Sequence, residues 1–461
     1  MGYYLGIDLG TSYFKAGVFD ENGKLKGLGR QVVRKRTGDG TICELPISLF
    51  WTTLRKSVQE AIQNAGITSK DIITLSYSSQ ANSFVLLDGN MQPLTSIILW
   101  PDNRAGETGT QNWALENKDD FLKTTGIGID TSPQFAVAKI NWFQKNQPEI
   151  WKRVKTILFI SDYLTYELTG KKISDVSTLS LTGLLDVKNS QWWNSALNAF
   201  YLNSGYLPSP QLTGSYVGGL TGKGAKLIGL SPNISYYLGC LDHHCAAIGT
   251  GVLLNNTVSE STGTVLACVS HSQSYAPDSG ICTAQGMTDG CYFRMAFNNN
   301  GAVSLEWYRE NFAKEYTIEE LIEMAKDIEA GCNGLVAKPC VHNYNELSGF
   351  ENIQSIHKYG HFVRAILEST ANSLNSLIKE LKGTHFSGRV ISTGGGAKSR
   401  LWVQIKASIA NVDFYIPETN EAACLGAAMI GAVGAGKLGD WSEVTKKWIQ
   451  YKEMIKPVSK E

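Results

Sequence analysis

The chain has 461 residues, 43% apolar and 18% charged, and its 42 basic and 42 acidic side chains cancel. That length asks for two large domains or three smaller ones, the composition is that of an ordered globular protein, and zero net charge gives no long-range pull toward nucleic acid or an anionic membrane. The sequence opens without a basic segment and apolar core, no apolar run reaches about 18 residues, and nine cysteines lie scattered from Cys43 to Cys424 without framework spacing. A reduced, cytoplasmic protein with no membrane or nucleic-acid partner is expected.

In chain order, YYLGID, FKAGVFD and, after the turn Glu21-Asn22-Gly23, LKGLGRQV alternate as strands and predict an antiparallel meander. Ile47, Phe50, Trp51, Leu54, Val58, Ala61 and Ile62 recur at helical spacing, and Gly66 closes that run. Apolar stretches at 72–77, 83–88 and 96–100 read as further strands, so strands alternate with helices and an α/β layer is expected. Between 240 and 245, Cys240, His243, His244 and Cys245 crowd four possible metal ligands together. With no second pair at zinc-site spacing, a strand-to-helix turn is the preferred reading. Small residues at Gly249–Gly251 suggest a hinge between domains 1–249 and 250–461, with a cleft between two lobes. Residues 257–269 repeat the strand, Gly-Thr turn and strand of the N-terminus, and read as a structural duplication. RVISTGGG then runs a strand into three glycines, SRLWVQIKASIA continues as a helix, and 361–381 and 420–434 are helical.

Three strand ends carry the chemistry. At Asp8-Leu9-Gly10-Thr11-Ser12 a strand ends in an acid and turns through glycine, presenting N–H groups and hydroxyls suited to phosphate oxygens, with Lys15 adding charge. Asp8 suits a hydrated magnesium ion, which keeps its waters and takes only one or two carboxylates. The matching turn Ser261-Thr262-Gly263-Thr264 has no acid at the position of Asp8, so it is expected to contribute phosphate contacts alone. Gly394, Gly395 and Gly396, followed by Lys398 and Ser399, would let a flat ligand approach the main chain.

The set GIDLGTS at 6–12, GCLDHHCAAIGTG at 239–251, TGGGAKS at 393–399 and EAACLGAA at 421–428 resembles the FGGY family of carbohydrate kinases. LLDGNMQPLTSIILWPDNR, SDYLTYELTGKKISD and HFVRAILE agree in the same order, so the resemblance runs to about residue 436. It implies two lobes of the actin-like ATPase, or ribonuclease H-like, fold, with ATP and magnesium and a small sugar or polyol as partners, and it leaves room for a homodimer. It makes Asp242, in the Gly-x-x-Asp segment, the base that takes a proton from the substrate hydroxyl. Gln80, Asn82, Trp100, Asp102, Arg104 and His243 match sugar-contacting positions, and an ion pair between Asp102 and Arg104 is the structural alternative. The loop Ser79-Gln80-Ala81-Asn82-Ser83 departs from both xylulokinase and glycerol kinase patterns, as does His243-His244, so a pentulose, hexulose or related polyol is expected without further choice. An ATPase that drives a partner protein, or a sugar sensor without turnover, would share these turns.

Overall fold

The computed structural model describes residues 2–106, 109–288, 290–338, 349–436 and 438–458, with backbone alone for 109–112. They form two compact units, each assembled from separated stretches: Met1–Gly249, Ser272–Arg294 and Glu421–Ile449 in the first, Thr250–His271, Met295–Asn420 and Gln450–Glu461 in the second.

In the first unit the expected meander is present as Tyr3–Leu9, Tyr13–Phe19 and Leu25–Val32, antiparallel throughout. Ile72–Ser79 adds parallel to Tyr3–Leu9, and Ser235–Tyr237 and Cys240–Leu241 each run parallel to Ile72–Ser79. Three parallel strands, Tyr3–Leu9, Ile72–Ser79 and Cys240–Leu241, therefore end side by side. The carboxyl ends of such strands are where open α/β sheets place ligands. Helix Ile47–Ala65 buries Phe50, Leu54, Val58 and Ala61, its 3.6-residue stripe, and ends at Gly66 in the left-handed region, φ 67°. A separate antiparallel sheet joins Arg36–Gly38, Ile42–Leu45, Ile97–Ile98, Phe84–Leu87 and Thr156–Phe159.

The expected strand at 96–100 is shorter, Ile97–Ile98, because Trp100 leaves the ladder and its N–H bonds the Ser83 hydroxyl at 2.8 Å. Two late stretches complete this unit. In 272–294, Ile281 accepts from the Gly128 N–H and Thr283 donates to the Gly126 carbonyl, at 3.0 and 2.7 Å. Helix Ala422–Gly434 lies backbone to backbone on the first strand and on helix Asp242–Ile248. A Cβ at Gly6 would sit 1.9 Å from the Cys424 carbonyl oxygen, and one at Gly249 would sit 2.0 Å from that of Ala422.

The second unit repeats the topology. Thr257–Thr262 pairs antiparallel with Leu266–Ser272 and parallel with Arg389–Gly394, and Asp413–Pro417 and Tyr451–Ile455 follow in the sheet. Helix Tyr359–Lys382 buries Val363, Leu367, Ala371 and Leu374, and helix Arg400–Ala410 adds Trp402 and Ile405 to the same apolar unit. The eight described cysteines are buried, and none of them is joined in a disulfide. Among the described residues no helix is long and apolar enough to cross a membrane.

Candidate active site

Sheet register explains the setting of Asp8. Opposite it stand Lys15 on the antiparallel neighbour and Ser78 on the parallel one. Ser78 donates its hydroxyl to Oδ1 at 2.9 Å, and Lys15 Nζ lies 4.0 Å from Oδ2 while bonding Glu421 Oε2 at 2.7 Å. Burial, opposed by Lys15 and reinforced by Asp242, pushes the Asp8 carboxyl up to about 6. Asp242 is thus close enough to repel a charge on Asp8. Two neighbouring carboxylates, one of them short of cationic compensation, fit the donor chemistry of a hydrated magnesium ion.

Asp242 opens helix Asp242–Ile248 as its first residue, with Leu241 at the cap. The His243 N–H donates to Oδ1 at 2.8 Å, which orients the carboxylate; no described residue bonds Oδ2. His243 is half-buried. His244 points into the core instead: it is fully buried, stacks on Phe293 at 4.6 Å, and holds the Ser177 hydroxyl through Nδ1 at 2.8 Å. Burial brings it down to about 3, a neutral core imidazole. Cys240 and Cys245 meet at 3.2 Å in the same core, and no cluster of three or more His, Cys, Asp or Glu suited to a metal occurs among the described residues.

The other sugar-contacting candidates form a closed frame. Trp100 Nε1 donates to Thr11 Oγ1 at 2.7 Å, Thr11 Oγ1 donates to Gln80 Oε1 at 3.4 Å, and Ser83 Oγ donates to Gln80 Oε1 at 2.9 Å. Gln80 Nε2 returns to the Leu9 carbonyl at 3.1 Å. Asn82, at φ 60°, accepts the Ala136 N–H on Oδ1 and donates from Nδ2 to the Leu181 carbonyl, both at 3.0 Å. Asp102 is fully buried, taking the Cys43 N–H and two guanidinium bonds from Arg104, which also bonds Glu44 at 2.6 Å. Beneath them the buried Lys139 ammonium donates to the carbonyls of Asn82, Leu99 and Trp100 at 3.0–3.2 Å. Burial draws this amine down to about 7, while three acceptors, one for each N–H of the charged form, favour keeping the proton. Within the frame Trp100 alone is exposed, at 38%. The long-range bonds of Asn82 and Asp102, and the burial of Lys139, carry no distinguishing signal in a single sequence.

In the second unit Thr264 is exposed at the tip of its hairpin and Gly263 is half-buried; Gly394, Gly395 and Lys398 are exposed after their strand. Gly394 takes φ 77°, where a side chain would be strained. Gly396 differs: it is buried, and a Cβ there would lie 2.8 Å from Thr262 Cβ. In the first unit Gly10 and Thr11 are half-buried and Ser12 is exposed at the tip of its turn.

Comparison with known proteins fits this arrangement. The family model described as "FGGY family of carbohydrate kinases, N-terminal domain" matches residues 3–249, and the corresponding C-terminal domain matches 258–435. A xylulose kinase of Staphylococcus epidermidis is 29% identical over 98% of this chain and 92% of its own length. A gluconokinase of Bacillus subtilis is 26% identical over 96% and 90%. A solved ligand-bound xylulose kinase from Lactobacillus acidophilus superimposes with a TM-score of 0.90 over 99% of this chain and 94% of its own, at 21% identity, and so shows the two-lobed actin-like fold.

Proposed function

The chain belongs to the FGGY family of carbohydrate kinases and is an ATP-dependent sugar phosphotransferase; from that premise we propose that it phosphorylates a hydroxyl of a pentulose, hexulose or related polyol, with Asp242 as general base. One observation carries the base assignment. At the end of three parallel strands, Asp242 is oriented through Oδ1 by the His243 N–H, with no described partner on Oδ2. A neutral hydroxyl is a poor nucleophile, and a carboxylate that accepts its proton as the bond to phosphorus forms lowers the barrier.

The six sugar-contacting candidates divide by their bonds. Trp100 and His243 contact the sugar, whereas Gln80, Asn82, Asp102 and Arg104 hold the rim on which Trp100 sits. Gly10, Thr11, Ser12 and Lys15 in residues 1–249, and Gly263, Thr264, Gly394, Gly395, Gly396 and Lys398 in residues 250–461, take the nucleotide. Asp8 holds a hydrated magnesium ion, which when bound offsets phosphate charge. We place the protein in the cytoplasm, without a nucleic-acid or membrane partner, and a homodimer would show in light scattering.

The test couples ADP release to a panel of pentuloses, hexuloses, alditols and gluconate, because the relatives are named for more than one substrate. Asp242→Asn is expected to retain ATP binding and lose kcat by about 10²–10⁴-fold on the accepted sugar. A fully active Asp242→Asn enzyme would remove Asp242 from the reaction.

A further inference from the structure

Below the second hairpin lies a cluster of charge sealed from solvent. Glu260 and Lys406 are both fully buried, with Nζ 2.8 Å from Oε1. Lys406 also donates to the Thr262 hydroxyl at 2.6 Å, and that hydroxyl donates onward to Glu260 Oε2 at 2.8 Å. Ser392 donates to Glu260 Oε1, and Thr393 Oγ1 donates to the Glu260 carbonyl at 2.8 Å. Three elements meet in this cluster. Glu260 and Thr262 lie in the strand that runs into Gly263 and Thr264, Ser392 and Thr393 lie in the strand that runs into the glycine turn, and Lys406 comes from helix Arg400–Ala410.

The two turns are locked to the cluster as well as to their strands. A Cβ at Gly396 would come within 2.8 Å of Thr262 Cβ and 3.3 Å of Lys406 Nζ, and one at Gly394 within 2.7 Å of the Thr262 carbonyl oxygen. Two apolar side chains of similar volume would fill the same space without the desolvation of two charges. They would not supply directed bonds from one ammonium and one carboxylate to two strands at once. A buried network satisfied in this way fixes geometry.

We infer that Glu260 and Lys406 form a positioning pair for the nucleotide: they set the spacing of the Gly263–Thr264 turn and the Gly394–Gly396 turn, and thereby ATP affinity, without touching ATP. This rests on the reading that those two turns bind the nucleotide. Gly395 offers a separate check on that reading, because it is exposed, has helical φ, and a Cβ there meets nothing nearer than 3.8 Å. The fold therefore tolerates Gly395→Asp, and the added charge repels phosphate.

Steady-state kinetics on the full chain, with folding checked by circular dichroism, test both. Gly395→Asp should raise the KM for ATP at least tenfold. Lys406→Met should do the same while the KM for the sugar stays within twofold. Glu260→Gln, which keeps acceptors for Lys406 and Ser392, should hold the KM for ATP within about threefold of the parent. The double variant Glu260→Met/Lys406→Met, free of unpaired charge, should regain thermal stability yet keep the raised KM for ATP; it carries the test if Lys406→Met does not fold. A folded Lys406→Met or double variant with unchanged KM for ATP, alongside an impaired Gly395→Asp, overturns the positioning role alone. An unaffected Gly395→Asp overturns the nucleotide reading and the inference with it.

Discussion

The two strand–turn–strand units of this chain share a topology and use their acids differently. Each pairs antiparallel with the strand after its turn and parallel with a later one, and each carries a carboxylate near the turn. In the first unit that acid is Asp8, two residues before Gly10; in the second it is Glu260, three before Gly263. In a strand a shift of one residue moves a side chain to the opposite face of the sheet. Asp8 meets Ser78 and a lysine already engaged by Glu421, and keeps a raised proton affinity; Glu260 meets Lys406 and hydroxyls and is closed from water. A repeated backbone topology thus carries an acid of raised proton affinity in one copy and a sealed ion pair in the other, a single step apart in register.

The largest effect that could break this contrast is on stability. Lys406→Met leaves Glu260 buried and unpaired, and should lower the free energy of unfolding by about 3–5 kcal/mol in urea titrations. A loss below 1 kcal/mol would mean that the second acid is no anchor.

Next comes a pH effect that separates a paired buried acid from unpaired ones. Asp175 in the first unit is buried with only neutral donors, the Tyr77 hydroxyl at 2.8 Å and the Thr178 N–H at 2.6 Å, and burial pushes it up to about 6. Its folded value lies above its unfolded one, so the folded state binds the proton more tightly. Its stabilising contribution is full below about 3.8 and is lost as pH rises to about 6. The difference is on the order of 3 kcal/mol. Asp175→Asn should therefore raise the urea midpoint more at pH 8 than at pH 4, and equal shifts at both would refute it.

On the catalytic side, Asp8→Asn should reduce kcat by about 10²-fold with magnesium saturating, while its melting temperature holds or rises. A stability loss with normal kcat would make Asp8 the structural acid of the two. The smallest effect is expected at Lys15, whose bond to Glu421 is 23% and 13% exposed. Lys15→Met should lower stability by about 1–2 kcal/mol, between the losses typical of exposed and of buried pairs, which differential scanning calorimetry would resolve from the Lys406 effect.

Much of the scaffold was legible from local pattern. Alternation marked the meander and the second hairpin, the spacing of Phe50, Leu54, Val58 and Ala61 marked the first long helix, and glycines marked the turns. What stayed hidden is long-range. Asn82 matches a sugar-contacting position, and its amide also bonds Ala136 and Leu181, 54 and 99 residues away. Asp102 and Arg104 hold each other, as the alternative reading allowed. Lys139 and Lys406 are charged residues on helices whose burial becomes visible only when remote carbonyls or a remote carboxylate arrive. Gly396 stands apart from its neighbours in the turn because a Cβ there would meet Thr262, a constraint set by a residue remote in sequence. The resemblance located Asp242; the ladder between Cys240–Leu241 and Ser78–Ser79 accounts for its place beside Asp8.

The three-part make-up of the first unit has a consequence for biosynthesis. Helix Ala422–Gly434 covers the strand bearing Gly6 and the helix begun by Asp242, so the N-terminal unit cannot close until more than 420 residues have been translated. At about 5–20 residues per second the nascent chain holds that sheet face uncovered for tens of seconds. A chain that ends between residues 264 and 421 has both hairpin turns encoded and an incomplete first core, and should be a substrate for chaperones and proteases rather than a slow kinase.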